Sequence, residues 1–303
     1  MNNRFKAQSK HLSSVTSNQR GIALLQVLLI SSIISILALY FTLTARQQLA
    51  VASLASDRVN AVLLLRSTES KVLFELLTKE STESDLYPLP KGYNFYANPI
   101  EIDEFTKVEI QDVAGLLSIQ FPDKMLLKRT LIRLGAAEET ADIFYDSLAD
   151  WQDSDDLKRL NGAEKGDYLL GPRNAPITLK SEGALVKGMT PHLWSSLSPL
   201  LTVPRASYFN PMMAPAPILT AFLDSDAHDI LQLRREGRLT RSEFSQLTGV
   251  YDQEGIILSK SDIFRLKIKV NYGTALLEKS TTVKLDPYAQ KDSPVIDGIN
   301  LKW

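Results

Sequence analysis

The chain of 303 residues contains no cysteine. That excludes disulfide staples, thiol catalysis and cysteine-ligated zinc or iron, so stability must come from a packed core or a bound ion. Histidine is nearly as scarce. His11, His192 and His228 lie far apart, which leaves no legible histidine triad or histidine-based metal site. The nucleophile elbow G-x-S-x-G, the H-E-x-x-H zinc motif and a phosphate-binding glycine loop are all missing, so the chain does not read as an enzyme. Residues 1–21 lack acidic side chains but carry Arg4, Lys6, Lys10 and Arg20. Ile22 to Leu43 lacks charge of either sign, and neither glycine nor proline occurs between Ile22 and Pro88.

What is present begins with that apolar run, interrupted only by Gln26, Ser31, Ser32, Ser35 and Thr42. At about 1.5 Å per residue it covers roughly 33 Å, enough for a hydrocarbon core of about 30 Å. A secretory signal would have an apolar core of about 7–15 residues and a small-x-small cleavage site; neither is found before Arg46. Two readings remain: a plain signal anchor, and a prepilin-type signal cut between Gly21 and Ile22. In either, the basic leader stays cytoplasmic and the C-terminal bulk is exported behind a single span. Beyond residue 21 there are 30 basic and 35 acidic side chains. An exported part with that balance is a poor partner for nucleic acid.

Past the run, Leu54, Ala55, Val59, Val62, Leu63, Val72, Leu73, Leu76 and Leu77 recur at helical spacing, with charged residues filling much of the rest. The pattern predicts one helix to about Lys79, roughly 85 Å long, apolar all round at first and amphipathic later. Such a membrane helix, its distal half packing under a head, is similar to those of type IV pilins and pseudopilins. In the head, Tyr93 to Tyr96 and Val108 to Ile110 read as short strands. Ile263 to Tyr272 alternates with period two, Gly273-Thr274 supplies a turn, and Ala275 to Leu285 returns. Between these strands lie predicted helices at Lys124 to Leu134, Glu138 to Trp151, Leu185 to Leu200 and Ile218 to Leu223, with one or two more over Leu231 to Leu247. The Pro- and Met-rich stretch from Val203 to Pro217 reads as an irregular surface crossing. Leu134-Gly135-Ala136-Ala137 resembles a helix-hairpin-helix DNA element, but it has one glycine and is followed by Glu138, Glu139 and Asp142, which repel phosphate.

Asp153, Asp155, Asp156, Glu164 and Asp167 fall close together, with Asn161 and Gly162 as turn formers. Carboxylates at this density either form a solvated acidic loop or hold an oxygen-seeking cation, for which calcium with 6–8 oxygen ligands is the natural choice. The pattern is not an EF-hand, because Leu157 and Lys158 stand where a ligand and a glycine are needed.

Asp150-Trp151-Gln152-Asp153-Ser154-Asp155-Asp156, then Asn161-Gly162-Ala163-Glu164 and Tyr168, resembles the D-W-x-D-x-D…N-G-A-E…Y signature of the K-type minor pseudopilins of the type II secretion system. Lys187-Gly188-Met189-Thr190, Leu197-Ser198-Pro199, Leu201-Thr202-Val203 and Asn210…Ala214-Pro215 follow in the same order. Two places depart from that family. Asp112 to Gln120 resembles D-x-x-G-x-x-N-x-N, with Ser118 and Gln120 replacing the asparagines. Met212 and Met213 stand where a second asparagine and a threonine are usual.

The resemblance implies an α+β pilin-like fold: a long N-terminal helix on a small antiparallel sheet, with a large, mostly helical inserted domain. It divides the chain into a prepilin leader (1–21), a transmembrane part (22–43), the distal helix and first strands (44–111), the insertion (112–250) and the C-terminal strands (251–303). It further implies a tip position in the pseudopilus, initiation of assembly with I-, J- and H-type minor pseudopilins, and support of export across the outer membrane. The prepilin peptidase would act on the Gly21–Ile22 bond, Ile22 would be N-methylated, and calcium would sit in the helical domain. A minor pilin of a surface pilus and a membrane-anchored, calcium-dependent binding protein stand as alternatives. After cleavage Gln26 is the fifth residue. Most pilin-like subunits have glutamate there, meeting a neighbour's N-terminal amine. A tip subunit has no neighbour beyond it, and an unpaired carboxylate at the bilayer centre costs about 2.5–3.5 kcal/mol on insertion scales. Gln26 therefore reads as a tip residue, or else as a tolerated polar residue in an anchor.

Overall fold

The computed structural model describes residues 20–79, 89–90, 92–169, 171–224, 227–288 and 295–297. The leader residues 1–19 and the punctuation at Leu86 and Pro88 lie outside them. Helix α1 spans Arg20–Thr78, ending one residue short of the expected Lys79. The absence of glycine and proline explains its unbroken length, because each would cost helix stability, about 1 and 3 kcal/mol respectively. Among the described residues it is the one helix long and apolar enough to cross a membrane. The chain divides into a unit ending at Ser56 and a unit starting at Asp57. In the first, the residues from Ile22 to Leu43 are exposed, and the helix is apolar all round.

In the second unit, the chain after α1 forms β1 (Ile100–Glu101) and β2 (Thr106–Asp112), and much later β5 (Ile263–Tyr272), β6 (Ala275–Leu285) and β7 (Val295–Asp297). They make one five-stranded antiparallel sheet in the order β1-β2-β5-β6-β7. The period-two pattern is realised in β5, where Phe264, Leu266, Ile268 and Val270 are buried and the residues between them are less so. On α1, Ala61, Leu65, Thr68, Val72 and Leu76 recur every three or four residues as a buried stripe, and the apolar ones share a core with those strands. Glu69 and Lys279 are buried together and form an ion pair. At the β5–β6 turn, Thr274 donates to Asp57 Oδ2 from its amide (3.0 Å) and hydroxyl (2.9 Å). Gly273 (φ +56°) is required there, since a Cβ would sit 2.4 Å from that same oxygen.

Between β2 and β5 lies a second body with its own core. It comprises β3 (Leu117–Ser118), α2 (Lys124–Arg133), α3 (Glu138–Gln152), α4 (Pro191–Leu197), β4 (Leu201–Thr202), α5 (Ala216–Leu223), α6 (His228–Arg235) and α7 (Arg241–Thr248). Phe144, Leu127, Leu131, Leu148, Ile218 and Phe244 are at or near zero exposure in its centre. Caps mark its helices: Asp123 accepts from the Leu126 amide at 2.8 Å, and Thr240 and Glu243 form a reciprocal capping box. The sheet and the helices around an inserted body agree with the α+β class expected.

Three local expectations are corrected. Tyr93 to Tyr96 is not a strand; it contributes one isolated bridge, Tyr96 to Gln111. Asn94 instead accepts from the Asn98 amide and donates to the Asn98 carbonyl, and Ala97 takes φ +59°, so a local turn displaces the ladder. Leu185 to Leu200 is not one helix, because Gly188 (φ +89°) and Pro191 delay α4. Residues 203–217 are not wholly a surface crossing. Asn210, Pro211 and Ala214 are buried, and their neighbourhood is supplied with donors by Gln111 and Arg234.

The chain leaves the sheet at Asp112 and returns at Ile263, two residues after Ser261. Asp112 accepts from the Ala114 amide (2.8 Å), the Ser261 amide (2.7 Å) and the Ser261 hydroxyl (2.5 Å). Hydrogen bonds to a buried charged group contribute about 1.5–3 kcal/mol each. Ser261→Ala is expected to lower the unfolding free energy of the detergent-solubilised chain by about that amount in a denaturant titration. Thr282→Ala, in the middle of β6, removes no such bond and should cost less.

Candidate functional site

The acidic loop follows α3. Asp150 is wholly buried in the last turn of that helix, and Trp151 beside it packs edge-on against Tyr168, with ring centroids 5.0 Å apart. Tyr168 Oη in turn accepts from the Lys187 amide at 3.2 Å. The aromatic pair thus pins the end of α3 to the segment after the loop. Within the loop, Arg159 supplies the main positive charge. Its backbone amide donates to Asp150 Oδ2 at 3.2 Å, and its Nη1 reaches Asp150 Oδ1 and Asp153 Oδ2. The paired carboxylates hold the Arg159 pKa above its usual range, Asp153 contributing most. Asp146 accepts from the Asn161 amide and side chain, closing the loop on the side of α3.

The five predicted carboxylates do not share one environment. Asp167 accepts from Lys158 (2.9 Å), Lys187 (3.0 Å) and the Glu164 amide (3.1 Å). Those bonds, Lys158 first, hold its pKa well below the usual carboxylate range. Asp155 and Asp156 are exposed, and Asp155 Oδ1 caps the Leu157 amide at 2.8 Å. Glu164 is 6% exposed and neither carboxylate oxygen has a partner; Asp153 Oδ1 is also buried and unpartnered. Burial raises the Glu164 pKa, and the negative charges of Asp150, Asp153, Asp156 and Asp155 raise it further.

Three buried, unpartnered carboxylate oxygens in a field of acids match the hard, all-oxygen donor chemistry of a calcium ligand set. Among the described residues, however, no three acidic or histidine side chains close on one point as a formed metal site. Arg159 holds one oxygen of Asp153, and Asp167 is committed to lysines. The donors are present and incompletely gathered. Asp150 is the residue that the sequence did not single out. It heads the acidic motif, but only the structure shows it buried and bound to Arg159. Gly162, read from sequence as a turn former, has a second duty, since a Cβ there would lie 1.7 Å from Asp150 Oδ2.

The remaining motif residues have structural employment. Gly115 permits close passage of the Met213 carbonyl, 2.3 Å from where a Cβ would be. Gln120, standing for an asparagine, donates to the Ile177 carbonyl at 2.7 Å. Leu134 to Ala137 simply joins α2 to α3. Gly21 and Ile22 lie within the first two turns of α1, as does Gln26 in the exposed apolar part.

Residues 117–205, which contain this loop, match the family model described as type II secretion system (T2SS), protein K. The chain is 26% identical over 263 residues to the putative type II secretion system protein K of Escherichia coli, spanning 76% of this chain and 80% of that protein. It is 28% identical over 257 residues to type II secretion system protein K of Pseudomonas aeruginosa, spanning 75% and 76%. Among solved structures it resembles a chain of the GspK-GspI-GspJ complex from the type 2 secretion system of enterotoxigenic Escherichia coli. The TM-score is 0.52 at 18% identity, over 80% of this chain and 96% of that one. The expected resemblance to K-type pseudopilins is thus found in sequence and in fold.

Gly162→Ala is expected to destabilise the chain by about 1–3 kcal/mol, the usual cost of overpacking, because the buried Asp150–Arg159 pair must move. Gly166→Ala, where a Cβ meets nothing within 4 Å, should change the denaturation midpoint little.

Proposed function

We propose that the chain is a K-type minor pseudopilin at the tip of a type II secretion pseudopilus, where it joins the I-, J- and H-type minor pseudopilins, starts assembly and supports export across the outer membrane. The observation that carries this reading is the helical body inserted between the neighbouring strands β2 and β5, where the match to the protein K family falls. A subunit with that much bulk on its head obstructs addition of another subunit above it, and so suits an end position. Its role is structural rather than catalytic. The complex of GspK with GspI and GspJ supports the choice of partners.

In this reading residues 1–21 are a prepilin leader, removed by the prepilin peptidase on the cytoplasmic side, and Ile22 becomes the methylated N-terminus. Helix α1 anchors the chain in the inner membrane, with the head in the periplasm. Gln26 is neutral because no subunit beyond the tip offers an amine. Mass spectrometry of the mature chain should find N-methylated Ile22 first. Retention of residues 1–21 would leave a plain anchor. Gln26→Glu should impair pseudopilus assembly and secretion; a functional variant cross-linked along the filament shaft would defeat the tip assignment.

Glu164 and Asp153 with Asp155 and Asp156 would hold a calcium ion in the acidic loop, while Asp167 stays paired with Lys158 and Lys187. The ion supplies positive charge and order, with no chemistry of its own. Without it, Glu164 has a folded-state pKa raised above its unfolded value. The folded state then binds the extra proton, and stability falls as pH rises from the unfolded pKa through the folded one. After chelation, calcium should raise the melting temperature at neutral pH. Glu164→Gln should abolish that rise and, in chelator, melt higher than the parent with a flatter pH dependence. No calcium response in the parent chain would remove the ion from this account.

A further inference from the structure

Arg234, on α6, is a buried cation that faces no described acid. It is 4% exposed; Nη1 donates to the Ala214 carbonyl (2.7 Å) and Nη2 to those of Pro211 (3.1 Å) and Met212 (2.7 Å). Its Nε is buried without an acceptor. The Tyr96 ring covers the guanidinium, its centroid 4.8 Å from Cζ, while the Tyr96 hydroxyl donates to the Arg234 carbonyl at 2.9 Å.

Holding three carbonyls does not require a charge. Gln111 serves the Met213 carbonyl one residue along with a neutral amide, at 2.9 Å. Buried charges are ordinarily paired with an opposite charge, because desolvation is costly. Here the desolvation is felt: burial brings the Arg234 pKa down to about 10. Arg234 is also among the residues that line a cavity of about 500 Å³, together with Tyr96, Asn98, His228, Leu231 and Arg235. Arg235 adds a second, exposed guanidinium, and none of the described lining residues is acidic. Leu231 and Ala216 make part of the wall apolar.

We infer that this cavity between α6 and the Tyr96–Asn98 turn is a receptor for a carboxylate carried on a short apolar stem. The carboxylate supplies the negative charge that no described residue gives the two arginines, and the stem lies along Leu231 and Ala216. A free small carboxylate and the acidic side chain of an adjoining protein present the same chemistry.

The test uses the full chain in detergent micelles, labelled with nitrogen-15 arginine, following the Nε–Hε signal of Arg234. Butyrate should shift that signal saturably, and butyramide, its uncharged counterpart, should not. Arg235→Gln should weaken butyrate binding by about five- to tenfold, as loss of one nearby charge does. Asn98→Asp, which builds an acid into the wall, should abolish binding with an unchanged melting temperature. Neither side chain holds the fold, since both residues are exposed. Equal shifts with butyrate and butyramide, or unaltered butyrate affinity in both variants, would overturn the inference. N-acetylglutamate α-amide distinguishes the source. Binding tighter than butyrate assigns an adjoining protein's side chain, and weaker binding assigns a free carboxylate; both uphold the receptor.

Discussion

The Asp112 carboxylate fastens together the two places where the chain crosses between sheet and inserted body. Its oxygens hold Ala114 just after the exit and Ser261 just before the return, and the register then pairs Asp112 with Phe264. Both ends of the segment from residue 113 to 262 are thus held at one buried group. Had the crossings been apart, β2 and β5 could not be neighbours, and the five-stranded order would fail. The cost of closing so long a loop grows only with the logarithm of its length, so a few strong local bonds at the neck suffice.

A second device recurs around the neck. Irregular backbone buried between two cores leaves carbonyls that no ladder satisfies. Long donors from regular elements reach them: Gln111 from β2 to Met213, Arg234 from α6 to Pro211, Met212 and Ala214, and Arg265 from β5 to Pro199 and Leu201. Both arginines give up solvation to do so, and burial lowers the pKa of each to about 10. Apolar contacts are concentrated within each core, while Gln111 and Arg265 carry hydrogen bonds from the sheet to main chain of the inserted body.

What could be read from sequence had a short-range cause. The period of β5, the Gly273-Thr274 turn, the unbroken α1 and the start of α2 at Lys124 follow from local pattern, whereas the Asp123 and Thr240 caps came to light only in the structure. What could not be read depends on partners far along the chain. The aromatic run at Tyr93 to Tyr96 carried a strand signal, and the competing Asn94–Asn98 turn was a weaker cue. The burial of Asn210 to Ala214 needs Arg234 and Gln111. The acidic loop was visible as composition, but its division into Asp167 bound to lysines, Asp150 bound to Arg159 and Glu164 left alone depends on geometry. Gly162 is instructive, because a glycine beside an asparagine signals a turn whether or not a carboxylate lies behind it.

The placement of the insertion also dictates an order of events during synthesis. Strand β2 emerges early, but β5, its neighbour, follows only after the whole helical body has been made. At about 5–20 residues per second that interval is on the order of ten seconds. Until then β2 has one edge open, and the apolar stripe of α1 has little sheet to cover it. The helical body, whose α2–α3 contacts are close in sequence, can collapse first. The sheet can close only once Ser261 and the strands after it have been made. An unfinished chain therefore leaves its sheet side uncovered.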